Sequence, residues 1–400
     1  GGGGGRIALL YGASTFNGNV YCRGGYGYAD GSHYYGGPGT RYWQDDGAGT
    51  KSLDFWNQGR YGWTMQPAMS IPDVDFGLYE SNVELDCSLQ RMAVKTLTLK
   101  TGVLTHPAAS PEGLRIFAGD TITADAWSRF DGSGRGLPAE VGTGRGTNGA
   151  GGGYGGAGGY NTITYGTREL PLHLGSGGGN SPGGTGGVGG GRISLTTPGT
   201  INLDGHIYAM GSNSPLDGGG GSGGSVLLAA FSVTGSGLIH AYGGQANYQA
   251  TNVGGGGGGR VAVYTDPGQS WQPGGGINVD GGWGVENGAA GTIYHGETVA
   301  GTDLQITENF QWEWQADGSG QGTITVFNIG NTGCGAFKVG LYDRDPALSG
   351  AVLMDSVEVA SLGAFDGASV NLTAPAPVTS NTLWLMVDYE NGVTETNELN

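Results

Sequence analysis

The chain has 400 residues, 89 of them glycine, and a formal net charge of −17 from 17 basic and 34 acidic residues. That balance counts against nucleic acid, which needs a basic footprint, and against an anionic membrane surface. An aromatic content of 10% and the β-branched segments between glycines count against the disorder that glycine bias alone suggests.

No stretch of about 18 apolar residues is present, so no membrane-inserted helix is expected. The chain opens inside a glycine run without a signal segment, and is read as a mature fragment or part of something longer. Cys22, Cys87 and Cys334 are odd in number and lack a CxxC, against both a disulfide scaffold and a zinc site. A Cys22–Cys87 bridge and three free thiols are the alternatives. No 3.6-residue period is sustained, so no long helix is expected.

In chain order, Gly1–Gly5 leads into Arg6-Ile7-Ala8-Leu9-Leu10. Residues 26–63 then crowd Tyr and Trp together. Tyr34, Tyr35, Tyr42, Trp43, Trp56 and Trp63 are candidates for an interface, with the core of a cap and a glycan surface as alternatives. Residues 76–140 read as short rungs: Met92–Leu99, Thr101–Thr105, Gly113–Ala118 and Asp120–Ala124, with Gly, Asp and Asn at corners. Tyr154 and Tyr160 punctuate the glycine-rich stretch 149–159 as candidate clamps, with solvent-exposed loop aromatics as the alternative. Next come glycine runs, each followed by a strand that begins at Arg192, Ser225 or Arg260. These landmarks are 33 and 35 residues apart, and Thr292 follows after another 32. Such a period marks stacked repeats. Runs of glycine carry no side-chain core, but they suit extended three-fold helices that bond to one another through the backbone. Flexible loops are the alternative.

A longer repeat is superimposed. The stretch from Gly1 to about Arg60 resembles Gly254 to about Asn309, with Arg6 answering to Arg260 and Thr40 to Thr292. From about Gln305 the glycine runs stop and strands alternate: Thr323–Asn328, Phe337–Tyr342, Val352–Val359, Ala368–Leu372 and Leu383–Asp388. This is the sizing of an immunoglobulin-like sandwich. The expected organisation is all-β. Residues 1–75 end a glycine-rich array with an aromatic-rich cap. Residues 76–304 form a parallel β-helix or solenoid with polyglycine II-type segments, and 305–400 an immunoglobulin-like domain.

Candidate chemistry is sparse. Asp45-Asp46, Asp73/Asp75 and Asp120/Asp125/Asp131 do not recur at one phase, as a carboxylate pair for glycoside chemistry requires, and read as turn residues. Asp343 and Asp345, with the acidic closing segment Asp388, Glu390, Glu395 and Glu398, are candidate calcium ligands. A solvated acidic face is the alternative, and no other cofactor is expected. His206 and His240 fall at equivalent repeat positions, where ladder stacking or exposure competes with metal binding. Gly-x-Gly-x-x-Gly matches lack a following helix and carry no nucleotide reading.

The string VLTHPAA…GLRIFAGDTITADAWSRFDGSGRG, with GGGRISL, GGGGSGGSVLLAA, GSGLIHAYGG and GGGGGGRVAVY, resembles the glycine-rich repeat regions of giant bacterial surface and secreted proteins, over roughly residues 1–300. Val326-Phe327-Asn328-Ile329-Gly330-Asn331 and the closing Val387-Asp388…Glu395-Thr396-Asn397-Glu398-Leu399-Asn400 resemble the cell-adhesion-related CARDB domain. These resemblances imply an extracellular or cell-surface, structural or adhesive role. The expectation is a non-enzymatic protein that assembles into a filament or surface layer, adheres, or does both. Its partners would be copies of itself, neighbouring repeats of a larger chain, or cell-surface glycans. The rival is a carbohydrate-active or glycan-binding β-helix.

Overall fold

The computed structural model describes every residue except 1, 17, 30–31, 248–250, 270–274, 307–310, 377–381 and 396–400, and omits the side chains of 29, 32–34 and 311. Among the described residues the chain is all-β, without an α-helix, and it divides into two compact units, Gly1–Gly296 and Glu297–Asn400. No helix is long and apolar enough to cross a membrane.

The first unit holds a 12-stranded sheet, a 7-stranded sheet and a 2-stranded one of Tyr26–Ala29 and Ser32–Tyr35. From Ser70 to Asp131 successive strands alternate between the two larger sheets. Ser70–Tyr79 lies in the long sheet and Asn82–Asp86 in the short one; Met92–Lys100 and Val103–Thr105 follow, then Leu114–Ala124 and Arg129–Asp131. Each of these strands pairs in parallel with its counterpart one excursion later. In the long sheet Leu97 sits beside Ile122, Ile122 beside Ile201 and Ile201 beside Val233. In the short sheet the row is Val83, Leu104, Phe130, Ile207, Ile239 and Ile277. Strand side chains alternate between faces, so one residue in two turns inward and the rows form one core. Each fully buried Leu, Ile or Phe contributes about 1.5–3 kcal/mol. The segments read as separate strands at 113–118 and 120–124 are one strand, Leu114–Ala124, with a register shift between Ala118 and Thr121. A bulge there keeps apolar residues inward on both sides of it.

Between residues 192 and 265 three strands of the long sheet are covered on both faces. Every residue of Arg192–Thr196, Ser225–Ala230 and Arg260–Thr265 is buried. The outer cover is the glycine-rich backbone, whose bonds recur every third residue. Gly187 and Gly190 donate to the carbonyls of Gly219 and Ser222, and Gly220 and Gly223 to those of Gly254 and Gly257, at 2.8–2.9 Å. A period of three is that of an extended three-fold helix, which has no internal bonds and must find partners outside itself. Side chains are excluded by this approach: a Cβ on Gly223 would lie 2.0 Å from the carbonyl oxygen of Ala241. Tyr154 is fully buried here. Its hydroxyl donates to Ser225 Oγ at 2.7 Å, and Ser225 in turn donates to the His173 carbonyl. The Arg260 guanidinium lies over the same ring at 5.4 Å. Tyr160 is exposed.

The sequence duplication is reproduced bond for bond. Gly4 donates to the carbonyl of Gly37 as Gly258 does to Ala289; Gly25 to Gly2 as Gly282 to Gly256; Gly36 to Gly25 as Gly288 to Gly282. Gly39 donates to Cys22 as Gly291 to Val279, both at 2.8 Å, and Thr40 to Gly5 as Thr292 to Gly259, at 3.2 and 3.1 Å. Residues 2–40 and 256–292 are therefore twin units.

The second unit has a 4-stranded sheet of Leu304–Ile306, Gln311–Trp314, Gly320–Asn328 and Asp366–Ala374, and a 3-stranded sheet of Phe337–Tyr342, Leu353–Val359 and Trp384–Val387. All pairings are antiparallel. Ile324, Val326 and Leu372 from one sheet meet Phe337, Val339 and Leu341 from the other in a separate core.

Candidate functional site

Near the first twin the outward rows of the long sheet form a cleft. Thr40–Asp45 turns back through Asp45–Thr50 as a hairpin onto Thr50–Trp56, which pairs in parallel with Ser70–Tyr79. With Phe55, Phe76 and Leu78 inward, the register sets Arg41 beside Asp54 beside Gly77, and Trp56 beside Tyr79 beside Lys100. Arg41 donates to Asp54 at 3.4 Å and to the Val20 carbonyl at 3.2 Å, and its guanidinium lies 4.7 Å from the Trp56 ring. Tyr21 approaches that ring at 5.5 Å. Gly77 leaves room for the Tyr79 ring to fold over it, since a Cβ there would meet the ring at 2.4 Å and Asp54 at 2.8 Å.

Arg41, Asp54, Trp56, Tyr79, Glu80 and Lys100 line a cleft of about 400 Å³. Burial pushes the Asp54 carboxyl up to about 6, against the pull of Arg41 and helped by Asp75. Burial also raises the Tyr79 phenol, with Asp54 adding to the effect. An aromatic plate beside a carboxyl and two cations can bind a hydroxyl-rich ligand by hydrogen bonding and apolar contact. A carboxyl poised near 6 also has the protonation range of a general acid. The neighbouring Asp75 is held by Thr96, whose hydroxyl donates to it at 2.7 Å.

The aromatic residues singled out in the sequence are spread over three sheets: Tyr34 and Tyr35 in the two-stranded one, Tyr42, Trp43 and Trp56 in the long one and Trp63 in the short one. Trp56 lines the cleft. Tyr35 packs on Tyr26 at 5.8 Å with Arg60 over it, and Tyr42 donates to Gln44 at 3.1 Å. Trp43 stands beside Leu9 and Ser52. Trp63, 48% exposed, lies in the short sheet beside Asn82. The side chain of Tyr34 lies outside the described residues. Arg41, Asp54 and Tyr79 carried no sequence signal, because a one-residue change in the register of the hairpin would separate them.

In the second unit the Asp343 carboxylate accepts from Arg344 at 2.9 Å and from the Val352 N–H at 2.8 Å, and Arg344 holds it below the usual carboxylate range. Asp345 accepts from the Ala347 N–H at 2.9 Å. Asp388 accepts from the N–H groups of Gly392 and Val393, Glu390 pairs with Lys338, and Glu395 accepts from the Leu304 N–H. Glu398 lies outside the described residues. Among the described residues no three His, Cys, Asp or Glu side chains are gathered as a metal site. All three cysteines are free, so the Cys22–Cys87 bridge is not formed. His206 and His240 are interleaved with tyrosine: His206 stacks on Tyr208 at 5.5 Å, and Tyr208 meets His240 at 5.6 Å. His106 is fully buried, and desolvation lowers it to about 4.

No curated protein and no solved structure matches the chain. The family model CARDB matches residues 301–400. The second unit is thus a CARDB domain, immunoglobulin-like and of a cell-adhesion-related family.

Proposed function

We propose that this is an extracellular structural protein of the bacterial cell surface, in which a parallel β-solenoid sheathed by polyglycine II-type segments forms a rigid support for the CARDB domain. Its role is adhesion, assembly into a filament or layer, or both, and the first unit is of the kind found in the glycine-rich regions of giant surface proteins. The reading assigns no enzymatic activity and no cofactor. The observation that carries it is the period-three backbone bonding of the glycine runs. It turns the most entropically costly residues of the chain into ordered structure, a use that serves stiffness rather than chemistry. The CARDB match supports the adhesive part.

The test is retention of the full chain on immobilised cell-surface polysaccharides and whole bacterial cells, while release of saccharide ends is followed. Retention without release is expected. Release would contradict the reading and select the second one, a carbohydrate-active cleft at Asp54, which the raised Asp54 carboxyl and the Trp56 and Tyr79 rings favour.

A further inference from the structure

The long sheet continues away from the cleft as two columns of hydroxyl-bearing side chains. Phe76, Leu97, Ile122, Ile201 and Val233 are buried, and alternation turns the residues on either side of each to the outer face. Register then sets Thr96 beside Thr121, Thr200 and Ser232 in turn, and Thr98 beside Thr123, Asn202 and Thr234. In the other direction the same columns run through Asp75 and Gly77 to Ser52 and Asp54, so the second of them ends in the cleft. Each of the eight positions from Thr96 to Thr234 is exposed in part or in full, and none carries a charge.

Strand propensity favours threonine, but it does not ask for a face without charges in a chain of net charge −17. Some of the hydroxyls bond across the strands: Thr96 donates to Asp75 at 2.7 Å, Thr200 meets Ser232 at 3.0 Å and Thr234 donates to Asn202 at 2.7 Å. Those of Thr98, Thr121 and Thr123 have no partner among the described residues and remain open as donors and acceptors. The cleft at the end of the columns is balanced in charge, with Arg41 and Lys100 against Asp54 and Glu80, and it offers the Trp56 and Tyr79 rings. Cleft and columns therefore both suit an uncharged, hydroxyl-rich ligand. Adjacent strands lie about 4.8 Å apart. An extended chain of 1,4-linked sugars advances by one ring over nearly the same distance. The six strands from Thr50–Trp56 to Ser232–Thr234 thus make a track about 24 Å long.

We propose that the outward face of the long sheet, from the cleft at Trp56 to Thr234, is a binding track for a neutral, extended polysaccharide that lies across the strands with one sugar on each rung. Trp56 and Tyr79 hold the sugar in the cleft by apolar contact and hydrogen bonding. Thr98, Thr123 and Asn202 exchange hydrogen bonds with the hydroxyls of the sugars that follow. The proposal rests on the adhesive part of the reading above and names its ligand class and its surface.

Calorimetric titration of the full chain tests it, with β-1,4-linked glucose, mannose and xylose oligosaccharides from disaccharide to octasaccharide, and with galacturonate oligosaccharides as the acidic counterpart. At least one neutral series is expected to bind. Its affinity is expected to rise about fivefold per added sugar, the scale of one net hydrogen bond, and to level off at about six sugars, one for each strand of the track. Thr123→Lys sets a long charged side chain on the fourth strand. It is expected to leave melting unchanged and to stop the gain with length at about three sugars, the number of rungs before it. Thr98→Lys, one strand nearer the cleft, is expected to stop it at about two, and Thr123→Ser to behave as the natural chain. Failure of all three neutral series to bind would overturn the proposal. So would equal affinity for the acidic series, or a gain with length that neither lysine shortens. Retention on whole cells that persists through such a failure would leave the adhesive reading in place with its contact elsewhere, whereas loss of both would remove both.

Discussion

The two twin units fold one local sequence pattern twice, and the comparison separates what a glycine run does for itself from what it does for its neighbours. Gly4 and Gly258 serve the unit internally: a Cβ on either would lie 1.8 Å from a carbonyl oxygen, of Cys22 and of Val279 respectively. Gly2 and Gly5 answer to Gly256 and Gly259, which serve the contact with the preceding glycine run at Gly221 and Gly224. The forward sides also differ. The first twin is covered by the hairpin that places Asp54 against Arg41, whereas the second has Ile293 where the first has Arg41.

The largest effect expected from this comparison is at the internal glycines. Gly4→Ala and Gly258→Ala should each destabilise the first unit by about 3 kcal/mol or more, as overpacking against immovable backbone does, read by thermal or denaturant unfolding. Gly2→Ala and Gly5→Ala should leave the monomer unchanged or stabilise it by up to ~1 kcal/mol, by restricting the unfolded chain. Equal effects at the two kinds of position would break the comparison.

A second effect belongs to the first twin alone. The folded-state pKa of Asp54, about 6, lies above the ordinary aspartate value of 3.8. Its contribution to stability is therefore fully present below about pH 4 and lost as pH rises through 6. The loss is up to about 3 kcal/mol, at 1.36 kcal/mol per unit. Asp54→Asn, which does not ionise, should gain on the natural chain over that interval and match its trend below it. Denaturant midpoints at pH 4, 5, 6 and 7 check this; a constant difference would contradict the burial of the carboxylate.

The smallest effect is an exchange between the twins. Cys22 stands where Val279 stands, each accepting one glycine N–H at 2.8 Å. Cys22→Val should change stability by less than about 1.5 kcal/mol, the range of similar-volume core exchanges.

Much of the scaffold was legible. The alternation in Met92–Leu99 reappears as Met92–Lys100, and Phe337–Tyr342 has the bounds read from the sequence. The strands after each glycine run begin at Arg192, Ser225, Arg260 and Thr292. Glycine identity also carried the twin relation, because close backbone approach tolerates no substitute. The cleft was not legible, because Arg41, Asp54 and Tyr79 meet only through the register of a hairpin and a crossover. Nor was the role of Tyr154, whose partner Ser225 lies 71 residues away. The aromatic crowding at 26–63 suggested one cluster, but the chain passes through three sheets within that stretch, and period-two alternation divides its rings among different faces.

Amide hydrogen exchange, followed at the two glycine runs, tests the central claim most directly. In the monomer the N–H groups of Gly256, Gly257 and Gly259, which donate to Gly244, Gly152 and Ala241, should exchange slowly, and those of Gly2, Gly3 and Gly5 rapidly. Equal exchange of the two runs would contradict the account.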